Sequence, residues 1–240
     1  MRITLLGYGK MGQAIEAEAL QRGHQISHRI DRHNYQELDS LSKDSTDLVI
    51  EFTHPESFES NLRAILAKGL PVVVGTTGWY DRIDEFKKEV AAVKGSFMYA
   101  SNFSVGVNLF FKLNQRLAEL MNPHVDYDPY LEEQHHRYKA DGPSGTAHTL
   151  ARDLIMRLDR KTRLSDEQLR NRAPQDDELS VSFSRAGEVK GTHRVVYTSE
   201  IDSISIEHRA HNRRGFAQGA VIGAEWLLGK RGFYEFSEIF

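Results

Sequence analysis

The chain has 240 residues, of which 40% are hydrophobic and 27% are charged. This composition is typical of a globular protein and excludes collagen-like, disordered and small disulfide-stapled classes. The 31 Lys and Arg residues nearly balance the 34 Asp and Glu residues, so a formal charge of -3 gives no reason to expect nucleic acid or an acidic membrane as a partner. The sequence contains no cysteine, which excludes disulfides and thiolate metal sites and suits the cytoplasm, where we expect the protein to act.

The first hundred or so residues alternate strand patterns with helix patterns. This alternation predicts a parallel sheet with helices on both faces, which is an α/β fold of the Rossmann type. No window approaches the roughly 18 apolar residues of a membrane-spanning helix, and we expect neither a membrane segment nor a signal peptide. The predicted strands are Ile3 to Leu6, Gln25 to Ile30, Asp47 to Phe52, Pro71 to Val74 and Ser96 to Ala100.

The second half has a different pattern. Helices are predicted over Val105 to Met121 and Gly145 to Leu158, and the polar stretch from Asp159 to Glu178 is predicted to be an exposed connection. Alternating runs then indicate a second α+β region with a mixed or largely antiparallel sheet. The last helix, Phe216 to Leu228, is rich in small residues and is expected to pack against the first domain. The predicted strands of this region are Leu179 to Arg185, His193 to Ser199 and Ser203 to His208.

A GxGxxG sequence follows the first strand and opens the first helix; it reads Gly7-Tyr8-Gly9-Lys10-Met11-Gly12. In this setting the glycines permit a tight turn, a close approach to a pyrophosphate and helix–strand packing. Asp31 ends the second strand and can hold the ribose hydroxyls of NAD, while the neighbouring Arg32 can pair with the 2′-phosphate of NADP. We therefore expect NADH or NADPH as cofactor; an ordinary glycine turn and an exposed charge pair are the alternatives.

Two further loops follow predicted strands at the edge where such sheets bind ligands. Gly75-Thr76-Thr77-Gly78 and Ser101-Asn102-Phe103-Ser104 offer N–H groups and hydroxyls with little bulk. Two such loops on one edge favour a binding role over simple turns.

The densest chemical stretch runs from Glu132 to Ala147. If Tyr130 to His136 is a strand, His135 and His136 point to opposite faces and have different roles. Ser144-Gly145-Thr146 leads into a helix whose N-terminus suits a carboxylate, and Lys139 adds a cation nearby. An acid/base site for a carboxylated substrate is the favoured interpretation. A solvated charge run and a zinc site completed by Glu132 or Glu133 are the alternatives, although adjacent histidines are poorly spaced for one metal.

These motifs together resemble the dihydrodipicolinate reductase family of bacterial lysine and diaminopimelate synthesis, and the likeness covers nearly the whole chain. The family pattern E-x-H-H-x-x-K-x-D-x-P-S-G-T-A is matched from Glu133 to Ala147, with Gly142 where alanine is usual. The glycine loop is one residue shorter than the common form. Other segments that are similar, in order, are Glu51-Phe52-Thr53-His54-Pro55, Gly75 to Gly78, Ser101 to Asn108, Gly191-Thr192-His193 and Arg213 to Ala220.

The resemblance implies an NAD(P)H-dependent reductase acting on a cyclic dicarboxylate, 4-hydroxy-tetrahydrodipicolinate. It implies that His135 is the general acid/base, that Lys139 is the proton donor, and that the substrate is bound by His136, Ser144, Gly145 and Thr146. The implied cofactor residues are Gly7, Tyr8, Gly9, Lys10, Met11, Gly12, Asp31, Arg32, Gly75, Thr76, Thr77, Ala100, Ser101, Asn102 and Phe103. It also implies a homotetramer. From the spacing of the adjacent histidines we expect no metal site.

We therefore predict a dinucleotide-binding domain of residues 1–102 plus 213–240 and a substrate-binding and oligomerisation domain of residues 103–212. A related dehydrogenase for a keto or amino acid and a non-catalytic redox sensor are the rival functions.

Overall fold

The computed structural model describes residues 1–165 and 172–240. They form two compact units: unit 1 is Met1–Val105 with Arg214–Phe240, and unit 2 is Gly106–Arg213. Within these described ranges, no helix has the length and apolar character that a membrane span requires.

The strands and helices are numbered in chain order. The strands are β1 (Arg2–Leu6), β2 (Gln25–Ile30), β3 (Leu48–Glu51), β4 (Val72–Val74), β5 (Ser96–Tyr99), β6 (Asp128–His135), β7 (Arg163–Ser165), β8 (Glu178–Arg185), β9 (Thr192–Thr198), β10 (Ser203–Arg209) and β11 (Gly232–Glu235). The α-helices are α1 (Lys10–Gln21), α2 (Glu37–Ser40), α3 (Pro55–Ala67), α4 (Ile83–Ala92), α5 (Val105–Met121), α6 (Gly145–Ile155) and α7 (Arg214–Leu227). Short 3₁₀ turns cover Tyr80–Arg82 and Phe236–Ile239.

Unit 1 is a parallel six-stranded sheet in the order β11-β5-β4-β3-β1-β2, with helices on both faces. Its strands are apolar on both sides because each face is covered. The predicted Rossmann-type α/β fold is confirmed. One face packs on α1 and α7 through Ile3, Leu5, Ile50, Val73 and Met98. The other face packs on α3 and α4 through Leu6, Val49, Val72, Val74 and Phe97.

Small residues let α7 approach the sheet closely. A Cβ atom at Gly219 would lie 1.6 Å from the carbonyl oxygen of Phe103, and one at Gly223 would lie 2.8 Å from the sulfur of Met98. The small residues noted in the sequence therefore serve packing within unit 1. Strand β11, which was not expected from the sequence, extends the sheet by pairing with β5. It stacks Phe233 on Phe97 with ring centroids 4.6 Å apart.

Unit 2 is a five-stranded mixed sheet in the order β10-β9-β6-β8-β7. The β10–β9 and β9–β6 pairs are antiparallel, and the β6–β8 and β8–β7 pairs are parallel. The predicted second α+β region with a mixed sheet is therefore confirmed. The parallel pair β6–β8 arises because the chain crosses over through α6 between them. Strand β7 lies inside the stretch from Asp159 to Glu178, so the prediction of an exposed connection is wrong for these three residues. Residues 166–171 of the same stretch lie outside the described residues.

The two faces of this sheet differ in polarity. One face packs on α5 and α6 through Leu131, Leu179, Val181, Val195 and Tyr197. The other face is polar and carries Glu132, Gln134, Ser182, Ser184, Thr192 and Arg194. Because side chains alternate along a strand, Glu133 and His135 lie on the same side as Leu131, the packed side. Strand β6 ends at His135, so the predicted strand to His136 is one residue too long, and His136 begins the following loop.

Candidate active site

All strands of unit 1 point the same way, so their carboxyl ends share one edge. The neighbours of β1 are β2 on one side and β3 on the other, and ligands of open α/β sheets bind at such a change of strand order. Four of the predicted segments follow strands that end at this edge. They are Gly7 to Gly12 after β1, Asp31 and Arg32 after β2, Gly75 to Thr77 after β4, and Ala100 to Phe103 after β5.

The three glycines of the first loop have different surroundings. Gly7 has φ +98, and a Cβ there would lie 2.0 Å from the carbonyl oxygen of Phe52. A Cβ at Gly12 would lie 2.5 Å from the carbonyl oxygen of Gly7, so the fold itself requires both glycines. Gly9 has an ordinary φ of -88 and open space where its Cβ would be, and no side chain caps α1 there. The open space at Gly9 is where a pyrophosphate can approach the helix N-terminus.

The segment after β2 presents charge at the same edge. The Asp31 carboxylate accepts a hydrogen bond of 2.7 Å from the backbone N–H of His33, and Arg32 is exposed. Tyr8 donates its hydroxyl to Glu16, and this hydrogen bond raises the pKa of the phenol. Lys10 is exposed and Met11 half-buried at the start of α1.

The two remaining loops mix exposed and buried residues. Thr76 is buried and its hydroxyl accepts a hydrogen bond of 2.8 Å from the backbone N–H of Thr53. Phe103 is also buried, and its ring packs 5.9 Å from that of Phe52 and 5.0 Å from that of Phe236, so its side chain belongs to the core. Gly75 and Asn102 are half-buried, Thr77 and Ser101 are exposed, and Ala100 is buried.

One buried carboxyl at this edge had no role in the sequence analysis. Glu51 is 1% exposed at the end of β3, and burial raises its pKa against the effect of its hydrogen bonds. It accepts hydrogen bonds from the hydroxyl of Thr53 and, at 3.3 Å, from the amide of Asn61. Asn61 in turn accepts 2.7 Å from the hydroxyl of Tyr35. This network joins the segments that follow β2 and β3.

In unit 2, strand pairing brings the histidine stretch together with residues distant in sequence. Glu133 lies opposite His193 across β6 and β9, and His135 lies opposite Arg185 across β6 and β8. The Nδ1 atom of His135 lies 2.9 Å from Oε1 of Glu133, and the rings of His135 and His193 meet edge to face with centroids 5.2 Å apart. Arg185 is a site residue that the sequence analysis missed, because only the β6–β8 pairing places it here.

Lys139 lies in the loop after β6 and is held by two contacts. Its ammonium donates to both carboxylate oxygens of Asp141, at 2.6 and 2.7 Å. The guanidinium of Arg185 donates to the backbone carbonyls of Lys139 and Asp141, at 3.3 and 2.5 Å. The loop that carries the predicted proton donor is therefore tied to the end of β8.

The N-terminus of α6 is the predicted carboxylate site. Ser144 is the buried N-cap and accepts 3.3 Å from the backbone N–H of Ala147. Gly145 and Thr146 form the start of the first turn, where backbone N–H groups have no acceptor within the helix. His136 carries a buried Nδ1 atom that has no hydrogen-bond partner among the residues described.

Burial dominates the protonation of the two histidines. It lowers the pKa of His193 to about 4, against the opposing charge of Glu133. Burial also lowers the pKa of His135, while the charge and hydrogen bond of Glu133 act in the opposite direction. Burial alone would raise the pKa of Glu133. Hydrogen bonds from Ser144 and the charge interactions with His135 and His193 bring that pKa below its usual range.

The zinc alternative can be tested against this geometry. Glu133, His135 and His193 bring ligand-type atoms within 4.8 Å of one another, whereas Glu132 lies on the opposite face near Arg194. Both oxygens of Glu133 already accept hydrogen bonds, and a guanidinium nitrogen of Arg185 lies 3.0 Å from Oε1. A divalent cation would have to displace these donors and stand beside that guanidinium, so we interpret the cluster as a hydrogen-bond network.

Comparison with known proteins gives a family match for each half of the chain. The family model "Dihydrodipicolinate reductase, N-terminus" matches residues 1–103, and "Dihydrodipicolinate reductase, C-terminus" matches residues 106–240. A 4-hydroxy-tetrahydrodipicolinate reductase of Christiangramia forsetii is 41% identical over 239 residues, which are 100% of this chain and 97% of that protein. One of Natronomonas pharaonis is 35% identical over 254 aligned positions, covering 99% of each.

Among solved structures, a dipicolinate-bound dihydrodipicolinate reductase from Paenisporosarcina sp. TG-14 has the same fold. It superposes with a TM-score of 0.77 at 19% identity, over 100% of this chain and 99% of that one. The resemblance inferred from the sequence is confirmed, and it identifies this chain as an oxidoreductase with a nicotinamide dinucleotide cofactor. The chain therefore belongs to the dihydrodipicolinate reductase family.

Proposed function

We propose that the protein reduces 4-hydroxy-tetrahydrodipicolinate to tetrahydrodipicolinate with NADH or NADPH, a step of lysine and diaminopimelate biosynthesis. The observation that carries the proposal is the site of unit 2. The imidazole of His135 ends β6, the ammonium of Lys139 lies in the following loop, and Gly145-Thr146 begin α6 directly after that loop. Such groups suit a substrate with two carboxylates and a reaction that consumes a proton. The dipicolinate bound to the Paenisporosarcina enzyme is a cyclic dicarboxylate of the same class.

The residues of unit 1 fit a dinucleotide. We propose that the open space at Gly9 and the uncapped start of α1 take the pyrophosphate, and that Asp31 and Arg32 take the adenosine ribose with or without its 2′-phosphate. The nicotinamide, when bound, supplies the hydride. Because a carboxylate and a guanidinium adjoin, we propose that both NADH and NADPH are used.

The residues of unit 2 then act on the substrate. We propose that Gly145 and Thr146 bind one carboxylate through their backbone N–H groups, and that Lys139 exchanges Asp141 for the substrate. Loss of the 4-hydroxyl group as water gives a ring carbon conjugated with the imine. Hydride then adds to that carbon, and the negative charge that results is neutralised by a proton. His135, with an imidazole that titrates near neutral pH in its ordinary state, and Lys139 are the groups placed to hold that proton.

The testing experiment is a coupled assay in which the preceding enzyme generates the unstable substrate in place. NADH and NADPH are supplied in parallel, and loss of absorbance at the nicotinamide band is followed. Oxidation of NADH or NADPH that depends on 4-hydroxy-tetrahydrodipicolinate supports the proposal. Oxidation of NADH or NADPH with keto or imino acids, but not with 4-hydroxy-tetrahydrodipicolinate, would identify a different dehydrogenase. Cofactor binding without turnover would identify a sensor.

We further propose a homotetramer that uses the polar face of the unit 2 sheet, on the family likeness and on the position of Glu132, Ser182 and Arg194 along that face. Light scattering on the purified protein measures the mass and tests it. The cytoplasmic location stays a prediction.

A further inference from the structure

We propose that Glu133 is a positioning residue, which fixes the ring of His135 in one tautomer and ties that ring to the N-terminus of α6. The inference rests on the proposed function, in which His135 is the acid/base group. Glu133 itself is fully buried, with a side chain that is 0% exposed, and it acts only through its neighbours.

Each oxygen of Glu133 has a defined partner. Oε1 lies 2.9 Å from Nδ1 of His135 and 3.0 Å from a guanidinium nitrogen of Arg185. Oε2 accepts a hydrogen bond of 2.6 Å from the backbone N–H of Ser144. An ionised carboxylate only accepts hydrogen bonds, so the proton of the neutral imidazole must lie on Nδ1. The Nε2 atom is then the nitrogen left to exchange a proton with a substrate.

The Nε2 side of the ring is kept clear of side chains by a glycine. Gly191 has φ +138, and a Cβ at this position would lie 3.0 Å from Nε2 of His135. Any other residue would therefore strain the backbone and crowd the working nitrogen. This contact gives a physical reason for the glycine in the Gly191-Thr192-His193 segment.

The same carboxylate also fixes the helix that is proposed to bind the substrate. Ser144 donates its N–H to Glu133 and caps α6 with its hydroxyl, which lies 3.1 Å from Nε2 of His193. The acid/base ring and the carboxylate site thus share one buried anchor. Arg185 balances the charge of that anchor and holds the carbonyls of the Lys139 loop.

An amide cannot replace this carboxylate without a mismatch. Glutamine offers one acceptor oxygen, whereas Glu133 accepts from donors at both ends. If the amide oxygen faces Ser144, the NH₂ group faces His135 and favours the tautomer with its proton on Nε2. If the oxygen faces His135, two N–H donors collide at Ser144.

The charge of Glu133 also raises the pKa of His135 against the larger effect of burial. The charged and titratable groups around the ring are Glu133 from β6, Arg185 from β8, His193 from β9 and Lys139 from the following loop. Burial lowers the pKa of His135, Glu133 raises it, and Lys139 and Arg185 lower it. Removal of the one anion therefore lowers that pKa further.

The experiment compares Glu133→Gln with Glu200→Gln, a control at an exposed glutamate in the turn between β9 and β10. The pH profile of kcat/KM is measured for both, and the limb that belongs to His135 is identified as the one that His135→Ala removes. In E133Q we expect this limb to move to lower pH by about 1 unit or more, and kcat to fall about 100-fold or more. In E200Q the limb should stay in place. A folded E133Q protein whose limb does not move overturns the inference.

A second measurement keeps the inference separate from the proposed function. Histidine-selective ¹⁵N NMR reads the tautomer of His135 without any turnover, with His135→Ala used to assign the signal. The wild type should carry its proton on Nδ1, and E133Q should carry it on Nε2; the Nε2 tautomer in the wild type would overturn the inference. If E133Q does not fold, Glu133→Asp keeps the charge and should keep the limb with a lower kcat. A wild-type enzyme without turnover but with the Nδ1 tautomer would contradict only the proposed function.

Discussion

The two candidate sites of this protein are built by opposite means. The edge of the unit 1 sheet is shaped mainly by what is absent: Gly7 and Gly12 leave no room for a Cβ, and Gly9 leaves open space. The site of unit 2 is shaped by buried charge, with Glu133 holding an imidazole, a guanidinium and a helix N-terminus. A dinucleotide supplies its own chemistry and needs chiefly a backbone cradle, whereas proton transfer needs side chains held in defined states.

The largest expected effect concerns the division of labour among the glycines of unit 1. Gly7→Ala places a Cβ 2.0 Å from a carbonyl oxygen at φ +98, so we expect a loss of about 3 kcal/mol or more in the free energy of unfolding. Gly9→Ala meets nothing within 4 Å and has an ordinary φ, so it should fold like the wild type. Its cofactor Kd should rise about tenfold because the methyl group occupies the proposed pyrophosphate space.

Urea unfolding and cofactor titration measure the two effects separately. If Gly7→Ala were as stable as the wild type, or if Gly9→Ala bound the cofactor normally, the distinction between a fold glycine and a ligand glycine would be wrong.

In unit 2 the corresponding prediction is a dependence of stability on pH. The pKa of His193 is about 4 in the folded protein, and an unfolded histidine titrates near ~6.5, so below that pH the unfolded state binds more protons. Stability is therefore lost as pH falls from about 6.5 to 4, by roughly 3 kcal/mol from this residue. His193→Gln should remove that part of the slope, as measured by urea unfolding at a series of pH values.

His124→Gln serves as the control, because the side chain of His124 is exposed in the folded protein. Equal slopes in wild type and His193→Gln would show that the ring is not held neutral by burial.

A smaller effect is expected at Gly142, which packs against Phe183 and Arg185. A Cβ there would lie 2.5 Å from the ring of Phe183 and 2.9 Å from the guanidinium of Arg185, which lies over that ring at 5.1 Å. We expect Gly142→Ala to cost about 1 to 3 kcal/mol, because the ring must move. In a Phe183→Ala background the cost should largely disappear, and a double-mutant cycle in urea measures the coupling. Additive effects would show that the two positions do not interact.

The sequence predicted elements whose pattern is local along the chain better than elements that depend on strand pairing between distant segments. The helix from Val105 to Met121 was predicted with its observed ends, because its amphipathic period is local. The short β11 was missed, since four residues carry little pattern and its strand character comes from pairing with β5. The parallel β6–β8 pair and β7 were also missed, because strand order depends on the crossover through α6.

The same limit applies to the sites. The glycine loop and the His135 to Thr146 stretch are contiguous and visible in the sequence. Arg185 is not, because it reaches the site only through the pairing of β8 with β6. The role of Glu133 is not visible either, because it depends on which side-chain and backbone atoms its carboxylate contacts. Phe103 shows the converse: a loop residue proposed to contact the cofactor has its side chain in the core.

The central claim is that unit 1 binds the cofactor and unit 2 supplies the proton chemistry, and one comparison tests it most directly. In the His135→Ala and Lys139→Ala variants, kcat with 4-hydroxy-tetrahydrodipicolinate and the Kd for NADPH are measured side by side. We predict that kcat falls about 100-fold or more, while Kd stays within about twofold of the wild type. Folded variants that keep full kcat, or that lose cofactor affinity in step with kcat, would contradict the claim.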